Sequence, residues 1–327
     1  VIIPGDVNIF LASNKKGMLS LDPWVLVHRL KERGVETKYI REYYLPYRMT
    51  EERIAYLQQR IAEEKGARIN RDFYPISYYY DMILWSTHFQ TKERQIFTYF
   101  FNLNFRLVLL TLVGFGIVMF CLSLKFKNLP ILLAVGTTGS AEIVFEVLTM
   151  LAFQILYGYI YYKLGVILTA FMLGLTFGAI FIVNRMKRVD LKLSDFAKIQ
   201  LAVCVYPLIL FSVFTLLYHT GPSKFSVEII FPLLTFIAGF VGGMQFPLAN
   251  KLYLQRVKKV GHTAGITYGT DLFGSCVGAL FAAAILIPIL GIPDTCFTVA
   301  ILNGISLLLI IFTIYRKSQY NQNQNPK

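Results

Sequence analysis

The hydrophobic pattern of this chain changes character near residue 107. Before that point, apolar and polar positions come in short blocks separated by turn residues. The first block, VIIPGDVNIFLAS, reads as a strand, a Pro4-Gly5-Asp6 turn and a second strand at Val7–Leu11, which predicts a hairpin. In LDPWVLVHRLKERG, Asp22 suits an N-cap, Pro23 the first helical position and Gly34 the C-terminal cap. A second helix is expected from TEERIAYLQQRIAEEKG, capped by Thr50, ended by Gly66 and apolar along Ile54, Leu57 and Ile61. Pro75 precedes an aromatic helix that closes the block at residue 88. Two helices and a hairpin over residues 1–88 make a thin core, as expected of the C-terminal end of an α/β domain.

Residues 89–106 read as a linker carrying Lys92, Arg94 and Arg106. Beyond it come seven apolar runs, at 107–124, 130–156, 161–184, 199–219, 227–250, 266–290 and 295–315. Most satisfy the roughly 20 residues that a membrane-spanning helix needs. The pattern predicts a polytopic all-α membrane domain over 107–316, followed by a disordered polar tail at 317–327. Composition agrees: 55% of residues are hydrophobic and mean hydropathy is +0.54, beyond the range of an ordinary soluble domain. No signal peptide is visible before Val1, and the chain is expected to be a fragment of something longer.

Charge sharpens this picture. The net charge of +13 divides into +4 over residues 1–106 and +9 over the apolar part, so it reports membrane orientation rather than nucleic-acid binding. Fourteen Lys and Arg fall in alternate loops and the tail, whereas the other loops hold Lys163 and Lys224. The richer face is expected to be cytoplasmic. If the short run 107–124 crosses, residues 1–88 lie on the opposite side. If it is re-entrant, as Gly114 and Gly116 would allow, they stay with the basic face.

The interiors of the apolar runs contain acids and no bases: Glu142, Glu146 and Asp271. Glu142 and Glu146 lie 40° apart on one helical stripe with Gly139 and Thr149, and Asp271 shares a stripe with Thr267, Ser275 and Gly278. Acids at such depth cost on the order of 3 kcal/mol each and face a bundle interior or a water path. An acid-only interior suits protons or an organic cation. Glu228, at a run end, is expected at the interface, and Tyr157, Tyr159, Tyr161 and Tyr162 fit an aromatic belt. Gly174-x-x-x-Gly178, Gly239-x-x-x-Gly243 and Gly274-x-x-x-Gly278 predict close helix packing, and Pro247 a kink. Cys121, Cys204, Cys276 and Cys296 lack metal spacing, and His28, His88, His219 and His262 are scattered. There is no nucleotide-binding glycine motif.

PGDVNIFLAS, YLPYRMTEERIAYLQQ and NRDFYPISYYYDMILWS resemble the C-terminal end of a spermidine synthase-like domain. GTTGSAEIVFEVLTMLAFQILYGYIYYKLGVILTAFMLGLTFGA, GGMQFPLAN and YGTDLFGSCVGALFAAAILIPILGI resemble the membrane part of bacterial fused major-facilitator-like/spermidine synthase proteins. The resemblance implies a class I methyltransferase-like soluble domain in the full-length parent. That parent would use decarboxylated S-adenosylmethionine as co-substrate and pass an aminopropyl group to an amine such as putrescine. It also implies a multi-pass protein of the bacterial inner membrane, with the lipid bilayer, a polyamine and the missing N-terminal part as partners. The residues that hold donor and amine belong upstream of Val1, so no catalytic residue and no cofactor are assigned to this chain. Three readings stay open: part of a membrane-bound aminopropyltransferase-like enzyme, a secondary transporter using the intramembrane acids, and a membrane anchor.

Overall fold

The computed structural model describes residues 1–5, 8–38, 42–64, 66–88, 100–101, 103–158 and 161–324. The turn residues Asp6 and Val7, linker residues 89–99 with Lys92 and Arg94, and Tyr159 lie outside the described residues. Contacts divide the chain into two units, Val1–Ile69 and Asn70–Lys327.

In the first unit the expected hairpin forms as β1 (Ile2–Ile3) and β2 (Ile9–Phe10), antiparallel, with Ile2 opposite Phe10 and Ile3 opposite Ile9. Helix α1 (Pro23–Glu32) starts on Asp22, whose Oδ1 accepts from Trp24 N at 2.9 Å, and Gly34 follows its end at φ 57°. Helices α2 (Tyr44–Arg48) and α3 (Glu51–Glu63) complete the unit. Thr50 has the extended backbone of a cap but its side chain makes no capping bond. The apolar stripe of α3 finds little to cover it: Ile54 and Leu57 are half-buried and Ile61 is exposed. The α/β remnant expected here is not seen, because the only sheet among the described residues is this two-stranded hairpin.

The second unit begins with α4 (Ile76–His88), whose Ile76 and Tyr79 are buried in a cluster with Val108, Ile285 and Ile289. Among the described residues, six continuous helical stretches are long and apolar enough to cross a membrane. Five are α5 (Phe105–Lys125), α6 (Leu129–Tyr157), α7 (Tyr161–Arg188), α8 (Leu193–Thr220) and α9 (Lys224–Val257). The sixth covers 60 residues, which as one straight rod would be about 90 Å long, three times a bilayer core. It is divided. Helix α10 (Val260–Phe281) passes into a π-helical stretch (Ala282–Leu290) containing Pro288, and α11 (Gly291–Gln324) starts at Gly291, φ 84°. A Cβ there would collide with Tyr74 and Phe73 O, so glycine is required twice over, by conformation and by space.

Contacts fix the directions. Thr138 meets Gln200 and Phe145 meets Tyr206, so α6 and α8 run parallel. Gln200 meets Asn303 and Cys204 meets Ala300 O, so α11 runs against α8. The described helices alternate, and the two arms about Gly291 are separate passes. Helix α5 is a full 21-residue helix capped by Asn104, whose side chain accepts from Leu107 N at 2.9 Å, which favours a crossing over a re-entrant loop. The alternation gathers Lys125, Lys127, Arg185, Lys187, Arg188 and Arg256 at one end of the bundle. Phe73 and Tyr218 pack together at the other end, their rings 4.9 Å apart, and Tyr218 bonds Asp72 there. Helix α11 continues to Gln324, with Gln319 bonded to Tyr315 one turn back, and residues 325–327 of the expected tail lie outside the described residues.

Candidate functional site

Two glycine crossings build the middle of the bundle. In the first, α7 lies along α9. A Cβ on Gly174 or Gly178 would collide with backbone of Phe236 or Phe240, and one on Gly239 or Gly243 with that of Phe171 or Leu175. The backbones touch directly, as the spacing predicts. In the second, α10 lies along α6: a Cβ on Gly274 would collide with Gly136 O, and one on Gly278 would fall 2.6 Å from Ser140 O.

The second crossing carries the acids. A Cβ on Gly139 would fall 2.5 Å from Asp271 Oδ1 and 3.0 Å from Ser275 Oγ, so the missing side chain makes room for Asp271 against α6. Glu142, one turn further along, reaches toward α9, where a Cβ on Gly242 would overlap its Oε1. Both carboxyl groups line one cavity of about 270 Å³, together with Thr138, Gln245, Phe246 and Tyr268. Glu142 is thirteen residues into the 29-residue α6, about 20 Å along it and close to its centre. Two larger hollows in the first unit mix charges, Arg48, Glu52 and Arg53 in one and Lys31, Glu36 and Glu42 in the other, without a convergent set.

Of the three acids singled out in the sequence, Glu142 and Asp271 are thus brought together. Glu146 is not on the cavity wall. It is 8% exposed, and its Oε1 has no hydrogen-bond partner among the described residues. Thr149, on the same stripe, spends its hydroxyl on Phe145 O at 2.6 Å. Thr267, on the stripe of Asp271, is buried and donates to Asn250 Oδ1 at 2.7 Å.

A second polar group escaped the sequence reading, which searched the apolar runs for charge and small residues. Gln200 of α8 is fully buried; its Nε2 donates to Asn303 Oδ1 at 3.0 Å and Ser306 Oγ at 2.8 Å, both on α11. Its Oε1 accepts from Thr138 at 3.3 Å and from the Gln245 amide. Thr137 bonds Ser306 at 3.0 Å. This network holds four helices together and fixes Gln245 and Thr138, two walls of the cavity. Uncharged Gln and Asn inside apolar runs were the available signal, since a buried amide must find partners.

Glu228 is not a free interfacial acid. It is ion-paired with Lys163 and accepts from Tyr157 Oη, while Lys163 lies 4.8 Å from the Tyr157 ring centre. Tyr161 and Tyr162 remain exposed, as a belt requires. At the basic end, Lys251 bonds Asp190 at 2.9 Å and holds its carboxyl below the usual range. The four cysteines are free, and no cluster of three or more metal-ligating side chains occurs among the described residues. No family model, curated protein or solved structure matches this chain.

Proposed function

We propose that this chain is the membrane part of a polyamine-handling protein, and that the cavity between α6, α7, α9 and α10 takes an organic cation of the polyamine class. One observation carries the reading: Glu142 and Asp271, from different helices, share a cavity midway along α6 whose wall has no basic residue. A cation arriving there exchanges water for two carboxyl groups in a medium where charge interactions are strong. At about 270 Å³ the cavity is below the range usual for drug-sized ligands, roughly 300–1,000 Å³. That size favours a slender amine, whose methylenes would lie on Leu175 and Phe246 and whose ammonium ends would meet the acids.

The resemblance of the sequence to fused major-facilitator-like/spermidine synthase proteins supports the same ligand class and a bacterial inner-membrane location. In that setting the parent protein would make or accept a polyamine in its soluble domain, and the bundle would bind or carry it. The experiment is spermidine binding to the purified chain in detergent, comparing wild type with Glu142→Gln plus Asp271→Asn. A loss of affinity of tenfold or more is expected. Equal binding by both proteins would make the acids structural and remove the proposal. Residues 1–327 alone are expected to show no putrescine aminopropyl transfer.

A further inference from the structure

Glu146 is the one intramembrane acid that the cavity does not use. It lies one helical turn beyond Glu142, where the cavity-bearing half of the bundle gives way to a half filled by aromatic rings. There Phe145 meets Tyr206 at 5.0 Å, Phe153 meets Phe231 at 5.4 Å and Phe214 stacks on Phe231 at 5.7 Å. Its neighbours along α6, Phe145 and Leu148, belong to this apolar core. A carboxyl retained as a structural bridge would spend its oxygens on hydrogen bonds. Here Oε1 touches neither solvent nor donor. An ionised carboxylate with a bare oxygen is what such surroundings tolerate least. Glu146 does not line the cavity, which is where the structure provides room for an ammonium ion. A proton needs no such room.

We infer that Glu146 is a proton-binding carboxyl in its own right, distinct from the cation site formed by Glu142 and Asp271. It takes up a proton as carboxylate and returns it on release, with Glu142, one turn away on the same stripe, as the nearest exchange partner toward the cavity. The surrounding helices offer few competitors. Helix α8 contributes Cys204 and Tyr206, α10 contributes Tyr268, Asp271 and Cys276, and α11 contributes Asp294 and Cys296. Helices α7 and α9 place their charged groups near their ends, including the paired Lys163 and Glu228. Resting on the cation reading above, the further consequence is coupling: protonation of Glu146 links cation occupancy of the cavity to a proton gradient.

Two measurements on the purified full chain test the proton site without any transport. A hydrophobic carbodiimide, which reacts with protonated carboxyls in apolar surroundings, should modify Glu146, as located by mass spectrometry. Modification should fall as pH rises. Infrared difference spectra between acid and alkaline states should contain a carboxylic C=O band that Glu146→Gln removes and Glu142→Gln retains. A missing band in wild type, or one unchanged in Glu146→Gln, would overturn the assignment whatever the reagent reaches.

Coupling is read in proteoliposomes. Glu146→Gln should lower gradient-driven spermidine accumulation at least tenfold while keeping spermidine exchange at equal pH within about twofold. Loss of both alike would place Glu146 in the cation site, and retention of both would end the coupling. A wild type that neither binds nor moves spermidine would remove the cation reading and the coupling with it, leaving the proton site to the labelling and the infrared band.

Discussion

The two glycine crossings use the same device for different ends. Between α7 and α9, Gly174, Gly178, Gly239 and Gly243 bring backbone against backbone, flanked by Phe171, Leu175, Phe236 and Phe240. Between α6 and α10, Gly274 and Gly278 do the same, but Gly139 of α6 admits the carboxyl group of Asp271, and Gly242 of the neighbouring α9 admits that of Glu142. The first crossing brings no charged group with it and lends the cavity only apolar wall, Leu175 and Gly243. The second converts close approach into a polar cavity. Small-residue spacing therefore announces a helix contact and says nothing of its chemistry, which depends on what the neighbouring turn projects into the space released.

The comparison breaks most severely at the apolar crossing. Gly178→Leu has only the Phe240 backbone to displace, so it should prevent recovery of a monodisperse protein on size exclusion, the class of defect that exceeds about 4 kcal/mol. At the acidic crossing the obstacle to Gly242→Ala is the end of a flexible side chain. The protein should fold, with spermidine affinity reduced about tenfold. In a Glu142→Ala background the same glycine substitution should cost less by about 1–3 kcal/mol in denaturant unfolding, the sign of direct coupling. Next, Gln200→Leu strands Asn303 Oδ1 and the Thr138 hydroxyl, while Ser306 keeps its bond to Thr137. It should lower stability by about 1–3 kcal/mol for each group left unpaired, seen as a reduced melting temperature. The smallest effect belongs to Asp190, outside the membrane spans. Its carboxyl is held low by Lys251, so its contribution is present above the ordinary carboxylate range and fades as pH falls through the lowered folded value. An unfolding titration of Asp190→Asn against wild type should converge only at that acid end.

Much of this was legible in the residues. Apolar runs located the passes, glycine spacing located the crossings, and the stripes of Glu142 and Asp271 pointed inward as the structure has them. Partner choice was not legible. Periodicity assigns a face to a helix but not the helix that meets it, so nothing in the sequence paired α6 with α10 or turned Glu146 away from the cavity. Gln200, Gln245 and Asn303 were passed over because an uncharged amide barely interrupts an apolar run, although its buried hydrogen bonds demand partners. The first unit shows the opposite failure. The stripe Ile54, Leu57 and Ile61 was read correctly as apolar, yet among the described residues of 1–69 the large apolar side chains actually buried are Val27 and Met49. An amphipathic pattern supplies a surface, and a core also needs something to place on it.

Helix α5 runs from the Phe73 end of the bundle to Lys125, so the region around Phe73 and α4 emerges on the side opposite Lys125 and Lys127. With the basic side facing the ribosome, α4 must be threaded through the translocation channel before α5 can lodge, and Lys125 and Lys127 arrest the movement. The order of assembly is thus written into the direction of α5.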